Sequence, residues 1–598
     1  MDADDRLSEL PEEVIHRIMY LLPTLEATRM SALSKRFLST WRSFPVMDFD
    51  TDLQLLCRNP KHLFNFVVGS LERRRTCVDQ RLSLKSRICG YGDDDGERFI
   101  NDTFESVINF AIRSKTKELH LHYKGEPFFC LSMPIKSLLF SSEYLRSLRL
   151  RNVDFNDHHN LILSCPLIKD LKLSHCVGLQ SIEINSAAKL IRAVKFKDCK
   201  ALESIRIDSN TLESFTCIYD YHWQWPGSPD RVSDINLASP ESLKRLRLAN
   251  LDITDEWFSN NVSEFVGLER LELKNCSRLK NILITGENIK SLRKFVLTSN
   301  TDMEDVHIAA PSLEDLIIDQ NPNPASLNIG GCKSNLRNLC ICHFRVTDVW
   351  IQENLSGLRL LENFTFGGFL IDRSIGDTLD NEPKHNKLYF DSLKDLNLSV
   401  TYEPLLSSIL EIEAPNLDCF TYECDEINAA SAPLPLVCPN LTDVRLLLET
   451  FDRKLDDPML HKILIDLLRS FGHCKTLSLS LCRDILIKFK ISEQERETLS
   501  PPLYEVKHLT VSTGVFSSPF IVLWLFDTLL WLVPHPETIS FNNTRNIHEV
   551  IVKASNILNY QSNSVSRHTL VFNILASERL SKSTNADPRP EASLFSYE

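Results

Sequence analysis

Lysine and arginine recur at regular places between Arg149 and Lys294, each beside an apolar residue in a short alternating stretch. The set is Arg149, Arg151, Lys172, Lys195, Lys197, Arg245, Arg247, Arg270, Lys274 and Lys294, interrupted by Glu272. In an extended strand, alternate residues share a face, so these cations stand on one side and their apolar neighbours on the other. A row of guanidinium and ammonium groups attracts carboxylates and phosphates. The stripe therefore either receives an acidic or phosphorylated segment of a target protein or is a solvated face. Farther on the sign changes: Asp315 and Asp319 come next, then neutral Asn338, Cys340, Asn363 and Thr365.

Other reactive residue types form no comparable pattern. The sequence has no P-loop, no GxSxG, no HExxH and no dinucleotide-binding glycine pattern, and its 17 glycines are few among 598 residues. Serines, histidines and carboxylates are plentiful but form no catalytic constellation, so the chain is not expected to be an enzyme. None of the 17 cysteines forms a CxxC pair. Cys340 and Cys342 have no histidine cluster nearby, so neither zinc nor any cofactor is expected. Three aspartates in "GYGDDDGE", Gly90 to Glu97, could ligand calcium but read as a solvated acidic loop. With a formal net charge of −13, binding of nucleic acid through bulk charge is not expected. The loop "YDYHWQWPG" offers Tyr221, Trp223 and Trp225, either as an exposed contact or packed down on a rim.

The basic stripe belongs to a repeat. From Leu145 the pattern apolar-x-x-apolar-x-apolar returns as "LRSLRL", "IKDLKLSHC" at Ile168, "IRAVKFKDC" at Ile191, "LKRLRL" at Leu243, "LERLELKNC" at Leu268 and onward to "LTDVRL" at Leu441. The spacing is mostly about 21 to 25 residues, within the leucine-rich-repeat range. Cys176, Cys199, Cys276, Asn300 and Asn321 close several units at the place where such repeats carry Asn or Cys. Cysteine there is a buried turn residue rather than a reactive thiol. A second half-period stretch, such as "LQSIEI" at Leu179 or "LKNILI" at Leu279, predicts an outer wall of short strands. No single unit can bury its own apolar face, so the units must stack. The expectation is an α/β repeat forming a curved, two-walled solenoid.

Before the array, "LQLLCRNPKHLFNFVVGSLERR" at Leu53 and "ERFINDTFESVINFAIRS" at Glu97 predict helices of a linking layer. The apolar run Phe520 to Val533 is too short to span a membrane, carries Asp527, and lies between Pro519 and Pro534. It reads as a buried helix, and no membrane association is expected. The polar stretch Asp372 to Lys387 reads as an insertion, and the tail from Ser581 as disordered. The first residues are acidic, unlike a secretory leader, which suggests reduced thiols in the cytoplasm or nucleus.

The opening segment "LSELPEEVIHRIMYLLPTLEATRMSALSKRF" is of a different kind. Pro11, Glu12 and Glu13 suit a helix start. Val14, Ile15, Ile18, Leu21 and Leu22 recur at helical spacing as one apolar face, and Pro23 ends the helix. A second helix is expected from about Leu25 to Leu33 and a third after Ser34, with Phe37, Leu38 and Trp41 apolar. Three short helices bury too little surface to stand alone, so this face needs a partner.

This segment resembles the F-box, through Leu10-Pro11, the Val14–Ile18 face, Leu21-Leu22-Pro23, the "LEATRMSALSKRF" block and Trp41. Phe37 stands where the family usually has tryptophan, keeping the aromatic bulk without the indole N–H. Followed by such repeats, the chain resembles the plant F-box/LRR proteins. The resemblance implies an adaptor of an SCF ubiquitin ligase, with Skp1 and through it a cullin as partners and an unknown protein as target. Leu10, Pro11, Val14, Ile15, Ile18, Leu22, Leu33, Phe37 and Trp41 would then meet Skp1. Arg149, Arg151, Lys172, Lys195, Lys197, Arg245, Arg247 and Arg270 would meet the target. An SCF-independent scaffold or a small-molecule-sensing receptor is the alternative. The implied division is an F-box at 1–50, a helical linking region at 51–118, a solenoid at 119–482, terminal repeats and cap at 483–576, and a disordered tail at 577–598.

Overall fold

The computed structural model describes residues 9–553 apart from 51–59, 75–80, 87–93, 125–130, 133–136, 156–158, 221–231, 233, 239, 287–288, 301, 320–325, 347, 368–369, 372–385, 401–409, 428–435, 452–454, 490, 514–524, 526–527 and 544–545. Asn321, the aromatic loop 221–227, the insertion at 372–385 and the tail therefore lie outside the described residues.

Three helices open the chain: α1 (Glu12–Leu21), α2 (Thr24–Met30) and α3 (Lys35–Ser43). Glu12 and Glu13 lie in the first turn of α1, where carboxylates favour the positive helix end. Ser34 caps α3 by accepting from Phe37 N at 3.2 Å. α2 stops at Met30, earlier than its apolar spacing suggests, so Leu33 lies in the turn beyond it. Strand β1 (Val46–Asp50) follows at once. Thr24 Oγ1 accepts from Asp48 N at 3.0 Å and ties α2 to this strand.

The parallel ladder of the first unit (Met1–Leu313 with Pro324–Leu327) begins at β1 and not at residue 119. β1 pairs in parallel with β2 (Arg81–Ser86), which pairs in parallel with β3 (Glu118–Tyr123). Helix α4 (Pro60–Glu72) lies between β1 and β2 in sequence, and α5 (Asp94–Arg113) between β2 and β3. The expected helical linking region is therefore corrected to two repeats whose second halves are helical. α4 buries Leu63, Val67 and Leu71, one face at i, i+4, i+8. Phe66 of α4 meets Phe49 of β1 edge to face at 5.7 Å. α5 starts at Asp94, so the acidic stretch expected as a loop is in part a helix start.

From β3 the ladder runs through strands Ser147–Arg151, Asp170–Ser174, Ala193–Lys197, Ser214–Ile218, Arg245–Ala249, Arg270–Lys274 and Lys294–Thr298, all parallel. Their inward residues, among them Leu148, Leu150, Leu171, Leu173, Val194 and Phe196, are buried and form the core. Most of these strands are followed at once by a residue with positive φ, including Asn152, His175, Asp198, Asn250, Asn275 and Ser299. The next position in several units is the buried Cys176, Cys199, Cys276 or Asn300. Asn300 Oδ1 accepts from Cys276 N at 2.5 Å, so the Asn/Cys position joins successive turns. Burial pushes the Cys276 thiol up to about 12, which leaves it an inert packing group.

The outer wall is short strand, as the half-period pattern predicts. Asn160–Leu163, Ser181–Ile184, Ser204–Ile207 and Asp234–Leu237 form one parallel sheet. Asn281–Thr285 pairs in parallel with Asp305–Ala309.

The second unit (Glu314–Asn323 with Asn328–Glu598) repeats the design. Its ladder runs from Asp315–Asp319 through Asn338–Cys342, Asn363–Gly367, Asp395–Val400, Cys419–Ile427, Asp443–Phe451, Thr476–Leu481 and His508–Thr513 to Thr538–Asn543. Asn546–Lys553 then closes it antiparallel. Both units are leucine-rich-repeat solenoids. Within the run Phe520–Val533, Leu525, Leu529 and Leu532 are buried. Among the described residues, no helix is long and apolar enough to cross a membrane.

Candidate functional site

Two surfaces of the first unit gather the residues singled out in the sequence. The first is the N-terminal helical layer. The apolar positions of α1 separate into two faces rather than one. Ile15 and Met19 point inward and join Ala27, Phe37, Trp41 and Phe44 in a small core, with Leu10 and Leu22 packed partly against it. Val14 and Ile18 each precede an inward residue by one step, about 100° around the helix, and Leu21 follows Met19 by two, so all three face outward or half outward. Leu21 is 78% exposed, Leu33 70% and Val14 41%. Pro11 is exposed too. The expectation of a single face with Ile15 open to a partner is therefore corrected. Ile15, Phe37 and Trp41 hold the layer together from inside, because they are no more than 2% exposed.

This small core is anchored to the first repeat. Arg74, itself 1% exposed, places its guanidinium 4.3 Å from the Trp41 ring centre. It donates to Phe44 O at 2.8 Å and to Trp41 O at 2.5 Å. The helical layer is thus fixed on the ladder that carries the second surface. Beside Leu21, a pocket of about 280 Å³ is lined by Tyr20, Leu22, Trp41, Asp48 and Arg81 among others.

The second surface is the outward face of the ladder. Strand register places Ser83, His120, Arg149, Lys172, Lys195, Thr216, Arg247 and Glu272 side by side in one row. A parallel row two residues along holds Lys85, His122, Arg151, Ser174 and Lys197. On the other side Arg245 neighbours Arg270, which neighbours Lys294. The spaced cations of the sequence are therefore brought together. They are not equally available. Arg247 and Arg270 share Glu272 at 2.9 and 3.5 Å, and Lys197 meets Asp220 at 2.7 Å. No carboxylate among the described residues lies within 4.0 Å of Arg149, Arg151, Lys172 or Lys195.

The crowding shows in protonation. Burial, then the neighbouring Lys195, Arg149, Arg151 and Lys197, holds the Lys172 ammonium below its ordinary range. Burial and Arg247 do the same to Lys195. Burial, Arg149, Arg81 and Lys172 push His120 down to about 4. Burial, Arg151 and Lys197 are the leading causes that bring His175 to about 4. An anion laid along this row would relieve the repulsion. His120 and Arg81 were missed from sequence because their strands lack the leading apolar-x-x of the repeat. The period-two alternation of "RLSLKS" and "ELHLHY" was the available signal.

In the second unit the outward face is acidic in places. The carboxylates of Glu423, Asp425 and Glu449 lie within 4.8 Å of one another.

Comparison with known proteins gives two family models. One described as F-box domain matches residues 7–48, and one described as At1g61320/AtMIF1, LRR domain matches residues 232–367. The chain is similar to the F-box/LRR-repeat protein At5g02910 of Arabidopsis thaliana, 26% identical over 212 residues, which are 31% of this chain and 42% of that one. It is similar to the F-box/LRR-repeat protein At2g42730 of the same plant, 28% identical over 200 residues, 29% of this chain and 43% of that one. The FBD-associated F-box protein At5g22730 of Arabidopsis thaliana is 28% identical over 202 residues, 29% of this chain and 40% of that one. The chain thus spans less than half the length of each of these curated relatives. A solved TLR13–ssRNA13 complex aligns with 79% of this chain and 75% of its own, at 13% identity and a TM-score of 0.31, too low to carry an argument.

Proposed function

The chain is an F-box/leucine-rich-repeat protein of the plant type, and we propose that it is the substrate-recognition adaptor of an SCF (Skp1–cullin–F-box) ubiquitin ligase. It supplies no catalytic group; it brings a target to a ligase whose chemistry belongs to other chains. The observation that carries this reading is the outward stripe of α1. Ile15 and Met19 already complete the internal core, yet Val14 and Leu21, with Leu33 from the following turn, remain exposed. A helical layer that needed these residues for its own folding would have buried them. Large exposed apolar residues grouped on one layer fit a protein interface.

Docking of a Skp1-type protein is thus assigned to Pro11, Val14, Ile18, Leu21 and Leu33, with Leu10 and Leu22 at the edge. Ile15, Phe37 and Trp41 support that surface from beneath. The target is assigned to the basic wall, where Arg149, Arg151, Lys172 and Lys195 have no carboxylate within 4.0 Å among the described residues, and an acidic or phosphorylated segment would supply one. Because Arg74 fixes the helical layer to the first repeat, a target on the wall would be held in a set direction relative to the ligase. Place of action is assigned to the cytoplasm or nucleus, where these ligases meet their targets.

Co-expression with a Skp1-type protein and a cullin tests both halves. The native chain should co-purify with both. A Leu21→Asp, Leu33→Asp variant should purify alone while remaining folded. A variant with Arg149, Lys172, Lys195 and Arg247 reversed to Glu should keep the ligase subunits and lose bound targets. Failure of the native, folded chain to retain the Skp1-type protein would overturn the reading.

A further inference from the structure

Strand register gathers several cations of the basic wall around one short stretch, Lys172 to Ser174. Lys172 has Arg149 beside it on one neighbouring strand and Lys195 on the other. Two residues along, Ser174 has Arg151 on one side and Lys197 on the other. Leu171 and Leu173 are buried in the core, so alternation sets Lys172 and Ser174 together on the outward face. The ammonium of Lys172 feels all of these neighbours: Lys195, Arg149, Arg151 and Lys197 add to burial in holding it below its ordinary range. Among the described residues, carboxylates stand at the margins of the group. Asp170 lies two residues before Lys172 on the same strand, while Asp220 and Asp198 lie 2.7 and 3.9 Å from Lys197.

Ser174 adds an observation of a different kind. It is 3% exposed, and its Oγ has no hydrogen-bond partner among the described residues. Its carbonyl is well used, accepting from Asn152 N at 2.9 Å and from Cys176 Sγ at 3.5 Å. The hydroxyl is therefore the group left over, and a buried hydroxyl without a partner costs folding free energy. It can donate to an oxygen brought by a ligand.

Spacing decides which kind of acidic segment fits. Neighbouring strands lie about 4.8 Å apart, so the row Arg149, Lys172, Lys195 spans about 10 Å. An extended peptide laid across that row repeats its same-face side chains about every 6.8 Å. At most two carboxylates then oppose three cations, and neither is left for Arg151. A phosphoryl group brings a charge of about −1.5 to −2 and three strong acceptor oxygens to one point. It can meet cations on adjacent strands and the Ser174 hydroxyl at once.

We propose that this cradle is a phosphoryl site, which binds a phosphoserine or phosphothreonine of the target through Arg149, Arg151, Lys172 and Lys195, with Ser174 Oγ donating to a phosphoryl oxygen. The proposal rests on the adaptor reading and deepens it by naming what the target carries. Binding makes and breaks no covalent bond. An unmodified serine or threonine leaves the cations and the buried hydroxyl unpaired, so the site discriminates against the unphosphorylated target. Capture is then switched on by a protein kinase that acts on the target, not on this chain.

The test uses the full chain, co-purified with a Skp1-type protein, and three peptide libraries with degenerate flanks. The central residue is phosphoserine in the first, glutamate in the second and serine in the third. The native chain should retain the phosphoserine library at least about tenfold more strongly than the glutamate library, and the serine library least. Lys172→Gln and Arg151→Gln should each weaken phosphoserine retention about tenfold or more, and Ser174→Ala about three- to tenfold. All three variants should keep the Skp1-type protein, which shows that the fold is intact. Lys394→Gln, which removes an exposed cation of the second unit, should change nothing. Equal retention of the glutamate and phosphoserine libraries, both lost in Lys172→Gln, would overturn the phosphoryl site while leaving the adaptor reading with an acidic target. Phosphoserine retention that is absent in the native chain, or unchanged in Lys172→Gln, would overturn it too, as would tighter capture of single-stranded RNA than of the phosphoserine library. Failure of the native chain to hold the Skp1-type protein is the separate failure of the adaptor reading.

Discussion

Replacing Arg74 by methionine should loosen the N-terminal helical layer without unfolding the repeats behind it. Arg74 is 1% exposed and donates to Trp41 O and Phe44 O while lying over the Trp41 ring. Methionine keeps most of the side-chain volume but leaves both carbonyls without that donor. A hydrogen bond to a charged group contributes about 1.5–3 kcal/mol. A desolvated cation–π contact adds about 2 kcal/mol. Part of this is offset because methionine has no charge to desolvate, so a net local loss of about 3–4 kcal/mol is expected. Hydrogen exchange followed by mass spectrometry reads it locally. Peptides covering α3 and the Trp41–Phe44 turn should exchange at least about 100-fold faster. Peptides from the Arg245–Ala249 strand should be unchanged. Arg74→Lys keeps the charge and loses the two-pronged donor geometry, so it should fall between. Exchange of the α3 peptides within threefold of the native chain in Arg74→Met would refute the role given to this side chain.

Further outcomes follow from the same packing. Ile15→Asp should unfold the helical layer, because it puts an unpaired carboxylate into the Met19–Phe37–Trp41 core, whereas Leu21→Asp should change stability by no more than about 0.5 kcal/mol; chemical denaturation of the two variants separates them. Folding stability should fall as pH drops from about 6.5 to about 4, since His120 and His175 are held neutral to about 4 in the fold while the unfolded chain takes up their protons first. His120→Gln should make the denaturation midpoint less sensitive to pH in that window. Lys172→Gln should raise the His120 pKa, read by NMR titration, yet leave it below the ordinary histidine value, because burial is the larger cause. Asn300→Ala removes the acceptor of Cys276 N and should cost about 1–3 kcal/mol, seen as faster exchange at the Cys276 turn.

The repeat was legible because its signal is redundant: strand after strand carries the same alternation, and the Asn/Cys position marks the turn. The basic row was legible for the same reason, since alternation alone decides which side chains face outward. What alternation could not show was pairing. Glu272 lies between Arg247 and Arg270 in the fold, so those two cations are partly spent, while Arg149 and Lys172 have no such partner among the described residues. The opening helix misled in another way. Val14 and Ile15 are adjacent in sequence and both apolar, but one helical step of about 100° sends one out and the other in. The start of the ladder was hidden because β1 and β2 have only three or two apolar positions each, with long helices where later repeats have short strands. Arg74 had no sequence signal at all, as its partners are backbone carbonyls 30 and 33 residues away.

The most direct measurement is a titration of the purified chain with a purified Skp1-type protein, by calorimetry, beside the Leu21→Asp, Leu33→Asp variant. Burying two leucines contributes about 3–6 kcal/mol, so the adaptor reading predicts one-to-one binding weakened at least about 100-fold in the variant, with hydrogen exchange of α3 unchanged. Binding of equal strength by both chains, or none by the folded native chain, would contradict it.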